Sequence, residues 1–188
     1  MKSIAKICCL LALLVPALSM AGEPGEQELA GDAVADFAGA LKTELTAAMQ
    51  AGGPLNAIEV CNTRAPAIAE SVSLDSGMNV SRVSLRNRNP GNAPTEWQAV
   101  VLRDFETRRA AGEAADALSW QEIAQADGAR EYRFMKAIPT APMCLACHGE
   151  SIAPAVAEKI AELYPEDKAT GYGEGEIRGA FVVTKMLH

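Results

Sequence analysis

Cys144-Leu145-Ala146-Cys147-His148 constrains this chain more than any other stretch, because Cys-x-x-Cys-His is the attachment pattern of c-type haem. Two thiols one turn apart can each add to a vinyl group of one porphyrin. The adjoining imidazole then lies beneath the iron, where a ring nitrogen can ligate it. The competing readings are a thioredoxin-type dithiol and half of a zinc site. A zinc ribbon needs a second Cys or His pair, and the mature sequence holds none.

Haem c is attached outside the cytoplasm, so the N-terminus matters. Lys2 and Lys6 form a basic start, residues 7–15 an apolar core, and Ser19-Met20-Ala21 a small-x-small cleavage site. The apolar run is too short for a permanent bilayer span. Residues 1–21 therefore read as a cleaved signal peptide and 22–188 as a single domain exported to the periplasm. Cleavage leaves 167 of 188 residues, enough for one sizeable core. With Lys2 and Lys6 gone, 15 Lys and Arg face 24 Asp and Glu, a mature charge of −9. No basic run survives, which argues against nucleic acid or anionic membrane as a partner. An acidic surface suits a soluble protein that meets a basic redox partner.

The cysteine count sharpens the reading. Of five cysteines, Cys8 and Cys9 leave with the signal, and Cys144 and Cys147 belong to the motif. Cys61 is left over, an unpaired thiol in an oxidising compartment.

Along the mature chain, Leu29, Ala33, Phe37, Leu41, Leu45 and Met49 recur at helical steps, and Gly52-Gly53 ends that helix. Pro54 opens a second helix bearing Ile58 and Cys61 on one face, and Pro66 predicts a break soon after. Residues 79–85 read as a strand, 86–92 as a polar loop, 95–111 as a third helix striped by Trp97, Val101, Phe105 and Arg108. Residues 118–125 are ambiguous. Residues 131–138 alternate as a strand, 154–163 form a short helix, and 177–187 a closing strand. This mixture lacks βαβ alternation, so an α+β domain with an antiparallel sheet, flanking helices and a long N-terminal helix is expected. Ordinary small cytochromes c are helical, and three strands do not fit them.

His148 is the proximal ligand by its place in the motif. For the opposite face, His188 is the chain's last residue and termini fray. Met78, Met135 and Met186 offer thioethers, though core packing is the commoner use of methionine in strands. Met143 sits too close to the attachment site to reach the other face. Cys61 is open to two readings: an inert buried thiol, or a thiolate ligand stabilised by iron.

Several blocks occur together here. They are Gly53-Pro54-x-x-Ala57-Ile58-x-x-Cys61, Arg88-Asn89-Pro90-x-Asn92-x-Pro94, Cys144-Leu145-x-Cys147-His148-Gly149, and Asp167-Lys168-Ala169-Thr170-Gly171-Tyr172 followed by Gly175-Glu176-Ile177-Arg178-Gly179. In content and order they resemble the single-haem c-type domains of PAS-like fold, found alone in the periplasm or fused to sensor kinases and chemoreceptors. The resemblance runs from about Phe37 to the end of the chain. It implies one covalent haem c held by the motif histidine and by a cysteine in the first block, here His148 and Cys61. It also makes Arg86, Arg88, Asn89, Lys168 and Tyr172 candidates for propionate or loop-fixing contacts. Phe134 and Phe181 are candidates to pack against porphyrin, with sheet-core packing as the alternative.

Two functions follow as expectations. The first is low-potential electron transfer or redox sensing, since a thiolate stabilises ferric iron. The second is sensing of a small gaseous ligand, carbon monoxide or nitric oxide, that displaces the thiolate from ferrous iron. Peroxidase-like catalysis needs an acid–base group beside an open iron, and no spare histidine exists for it. An enzyme is not expected.

Overall fold

A computed structural model describes residues 24–126 and 128–187. The signal peptide expected over 1–21 and His188 lie outside the described residues. No helix among them is long and apolar enough to cross a membrane.

The chain opens with helix α1 (Pro24–Ser76), kinked where Gly53 takes a left-handed φ of 67° that only glycine adopts without strain. The two limbs, 24–51 and 54–76, fold back along each other. Asn56 Nδ2 donates to the Ala48 carbonyl at 3.0 Å across the turn, and Arg64 pairs with Glu44 at 2.9 Å further along. The break expected at Pro66 does not occur, and the second limb runs through it to Ser76. Proline removes one helical hydrogen bond, but Ala65 and Ile68 beside it are buried, and packing of that face outweighs the loss.

Strand β1 (Asn79–Val83) follows, then a 3-10 turn (Pro90–Asn92), α2 (Glu96–Ala110), β2 (Ser119–Ala126) and β3 (Ala129–Pro139). A second 3-10 turn (Pro142–Cys144) leads into the single turn α3 (Leu145–His148), then α4 (Pro154–Leu163) and β4 (Ile177–Leu187). The ambiguous residues 118–125 thus become an edge strand. Their own pattern is mixed, and β3 decides the matter by pairing with them throughout their length. The four strands form one antiparallel sheet in the order β1-β4-β3-β2.

Alternation along the strands splits the core in two. Val80, Tyr132, Phe134 and Val183 face α1, where Ala30, Ala33, Val34, Phe37 and Ile68 meet them. Val83, Met135, Ala180 and Val182 face α2 and meet Val101, Leu102 and Phe105. Each fully buried large apolar side chain contributes about 1.5–3 kcal/mol, so this α1–sheet–α2 sandwich is the main source of stability. A third cluster of Ile58, Val156, Ile160 and Tyr164 ties the second limb of α1 to α4, with Cys147 against it.

Tyr132 gives the core an alkaline limit. It is fully buried and its hydroxyl donates to Gln121 Oε1 at 2.7 Å. Burial, with Glu26 adding to it, pushes the phenol up to about 12. The unfolded chain would ionise this phenol near its ordinary value of about 10 while the folded protein keeps it neutral. Its contribution is therefore complete below pH 10 and falls away as pH climbs toward 12. Tyr132→Phe is expected to flatten the decline of Tm across that window, as read by circular dichroism melts.

Candidate functional site

β3 delivers the chain to the motif and stops at Pro139. Pro142 starts the 3-10 turn, α3 carries Cys147 and His148, and the Gly149 N–H closes the turn on the Leu145 carbonyl at 3.0 Å. A Cβ at Gly149 would meet that carbonyl oxygen at 2.6 Å, so only glycine fits there. The Tyr172 N–H donates to the His148 carbonyl and the Gly171 N–H to the Gly149 carbonyl, each at 2.9 Å. Cys144 and Cys147, three apart on one turn, are free thiols and half-buried.

His148 is oriented by one contact. Its Nδ1 lies 2.7 Å from the Ala169 carbonyl oxygen, which can only accept, so Nδ1 carries the proton and donates. Nε2 is left with its lone pair, the form that ligates a metal. The imidazole is held neutral, its pKa pushed down to about 2 by burial first and then by the charges of Arg178 and Arg88. Tyr172, itself buried, meets the imidazole edge-on with ring centroids 6.3 Å apart.

Arg88 locks this arrangement. Its guanidinium pairs with Asp167 at 3.0 and 3.2 Å and also donates to the carbonyls of Cys147 at 2.6 Å and Ala169 at 3.3 Å. Asp167 accepts in turn from the Ala169 N–H at 2.9 Å. One cation therefore fixes the loop that holds the imidazole and the turn that carries both thiols.

The second limb of α1 brings Cys61 to the same place, one turn after Ile58, which packs in the cluster that includes Cys147. Burial pushes the Cys61 thiol up, while Arg82, Arg178 and Arg88 pull it down. Cys147 is likewise raised by burial and lowered by Arg88, with Cys61 close enough to add to the rise. Among the described residues no three His, Cys, Asp or Glu side chains converge as a protein-only metal site. The donor set is one imidazole nitrogen and thiols, which suits a group that brings its own remaining ligands.

The other residues singled out in the sequence take varied places. Arg86 is exposed and stacks over the Tyr172 ring, 3.7 Å from its centroid. Asn89 caps the 3-10 turn through its side chain, accepting from the Gly91 N–H at 2.9 Å. Lys168 is exposed, and its backbone N–H donates to Asn87. The Tyr172 hydroxyl sits between Ser84 Oγ at 3.4 Å and the carbonyl of Arg178 at 3.4 Å. Phe134 is buried in the α1 side of the sheet, and Phe181 stacks edge-on with Phe37 at 5.5 Å. Met78 and Met135 are core residues, whereas Met143 and Met186 are exposed.

Arg82 and Arg178 were not anticipated from the sequence, yet their charges act on both Cys61 and His148. Arg82 did carry a signal. It lies two residues after Val80, so the alternation turns a cation toward the buried α1 face. Arg178 carried only its place in the Gly175–Gly179 block, with nothing to mark its role. It falls at a register shift, where Ile138 pairs with Gly179 and Pro139 with Ile177, leaving Arg178 unmatched. Such a bulge re-aims a side chain, and only the pairing of β3 with β4 creates it.

The profile of the Tll0287-like family matches residues 22–185. Among solved structures, the chain resembles one described as the crystal structure of the cyanobacterial heme-protein Tll0287, with a TM-score of 0.65 and 23% sequence identity. The likeness covers 89% of this chain and 98% of that one. At that identity it speaks for the shared fold. No curated protein matches the chain.

Proposed function

The chain belongs to the Tll0287-like family, and on that premise we propose that it is an exported c-type haem protein, covalently linked through Cys144 and Cys147 and axially ligated by His148 and Cys61. The observation that carries this reading is the 2.7 Å bond from His148 Nδ1 to the Ala169 carbonyl, which leaves Nε2 free beside two unpaired thiols. A dithiol redox motif has no use for a histidine fixed in that tautomer, and a metal-ligating histidine has. Burial holds the free Cys61 thiol neutral and the arginines around it act against that rise, so coordination to ferric iron is what would favour the anionic sulfur. We read the antiparallel sheet with its covering helices as PAS-like, and the compartment as the periplasm.

When bound, the haem supplies one-electron chemistry. The chain's residues orient it, exclude water and set its potential. His148 is pinned by Ala169, and the apolar cluster of Ile58, Val156, Ile160 and Tyr164 shields the thiol side. A thiolate donor favours the ferric state, so the role we infer is low-potential electron transfer or redox sensing with a protein partner. Maturation in a host with c-type haem attachment, followed by a denaturing gel stained for haem, tests the core of this reading. The native protein is expected to keep its haem through denaturation. The Cys144→Ser, Cys147→Ser double variant is expected to lose it, and loss from the native protein as well would sink the proposal.

A second reading rests on the placement of Cys61. It is half-buried rather than sealed, on a limb that follows the Gly53 kink. A small gaseous ligand could then take its place on reduced iron. Spectra of the reduced protein with and without carbon monoxide separate the two, since a pure electron carrier leaves them unchanged.

A further inference from the structure

We propose that Arg82 and Arg178 form the anion-binding corner of the site and receive the two propionate carboxylates of the haem. The inference rests on the haem reading above. Arg88 is matched by Asp167. Arg82 and Arg178 have no carboxylate within ion-pair reach among the described residues. Arg178 Nε is fully buried and has no hydrogen-bond partner at all.

A buried guanidinium without an acceptor is strongly unfavourable, and a chain retains one where something outside the polypeptide completes it. Its planar fork suits a carboxylate, which can accept two parallel hydrogen bonds. A second guanidinium, that of Arg82, lies beside it. Arg82 stands on β1 opposite Phe181, and Arg178 at the bulge of the adjoining β4, close enough for each charge to act on the other. Like charges brought together out of water call for anions between them.

Position agrees with the chemistry of the porphyrin. The vinyl-bearing and propionate-bearing edges of the ring are opposite one another. Arg88 lies against Cys147, whereas Arg82 stands on β1 and Arg178 at the bulge of β4, where their charges act on His148 and Cys61. The pair thus sits away from the attachment edge, on the side where carboxylates would emerge.

The test is the pH dependence of the reduction potential of the holoprotein, in the native form and in Arg82→Gln, Arg178→Gln and the corresponding lysine variants. A cation beside a carboxylate lowers its pKa by about 1–3 units, so each glutamine variant is expected to move the propionate titration upward by about that much. Lysine, which keeps the charge but loses the fork, should restore part of the shift. The other titratable groups of the site, Arg88, Asp167, Tyr164, Tyr172, Cys61 and His148, are common to all forms. Infrared difference spectra on reduction should show the carboxylate bands moving with the same midpoint. Unchanged pH profiles and bands in the glutamine variants would overturn the proposal. So would a glutamine variant whose oxidised spectrum matches that of Cys61→Ala, because the arginines would then serve the sulfur. If the glutamine variants fail to mature, the lysine variants carry the test through a smaller shift of the same sign. Absence of haem from the native protein would instead defeat the reading this inference rests on, and is seen before any variant is compared.

Discussion

Cys61→Ala is expected to convert the oxidised protein from a six-coordinate low-spin form to one that has lost its sulfur donor. The change should be visible in both absorption and electron paramagnetic resonance spectra. Cys61 lies in the same electrostatic environment as His148, with Arg82, Arg88 and Arg178 acting on both. On the proposed ligation, removing the thiolate would withdraw the group that stabilises the ferric state, so the reduction potential should rise. Axial ligands spread haem potentials over about 0.8 V, and a shift on the order of 0.1 V or more is the scale to expect here. The substitution is small and the site half-buried, so the fold should survive it. An oxidised spectrum identical to native would remove Cys61 from the iron and return it to the role of a packed thiol.

Arg88→Ala should be the most damaging single change outside the motif. The Arg88 and Asp167 side chains are only 13% and 10% exposed, so losing the cation strands a buried carboxylate. Breaking a buried pair in this way costs about 3–5 kcal/mol. Two further losses accompany it, the bonds to the carbonyls of Cys147 and Ala169. Ala169 is the residue that holds His148 Nδ1, so the damage reaches the imidazole. Chemical denaturation should show a stability loss of about that size, and haem incorporation should fall with it. Arg88→Lys is expected to recover little, because a single ammonium cannot reach Asp167 and both carbonyls together. A stability loss below about 1 kcal/mol would mean that the network does not hold the loop.

Local chemistry made much of the architecture legible. Helical periodicity over Leu29–Met49, the Gly52-Gly53 stop and the proline starts at Pro54 and Pro154 all act within a few residues, and the helices appear where they predict. Alternation in 131–138 and 177–187 similarly marks β3 and β4. Residues 118–125 were not legible, since an edge strand is half solvated and its pattern depends on the neighbour it joins. Pro66 misled because a local rule about proline yields to burial of the helix face around it.

The site divides in the same manner. Residue type and spacing alone singled out the Cys-x-x-Cys-His motif, its histidine and the odd thiol as candidates, because that chemistry needs no reference to anything distant. The sequence named Arg88 and Tyr172 as site candidates, but not that Arg88 bridges Asp167, Cys147 and Ala169. Only the tertiary structure brought Cys61 and His148, 87 positions apart in the numbering, under the influence of the same arginines. Only the pairing of β3 with β4 placed Arg178 at a bulge with its Nε buried and unpartnered. The physical reason is that a donor's identity is local, whereas desolvation, the tautomer of His148 and an unpaired buried charge depend on what the rest of the chain packs around it.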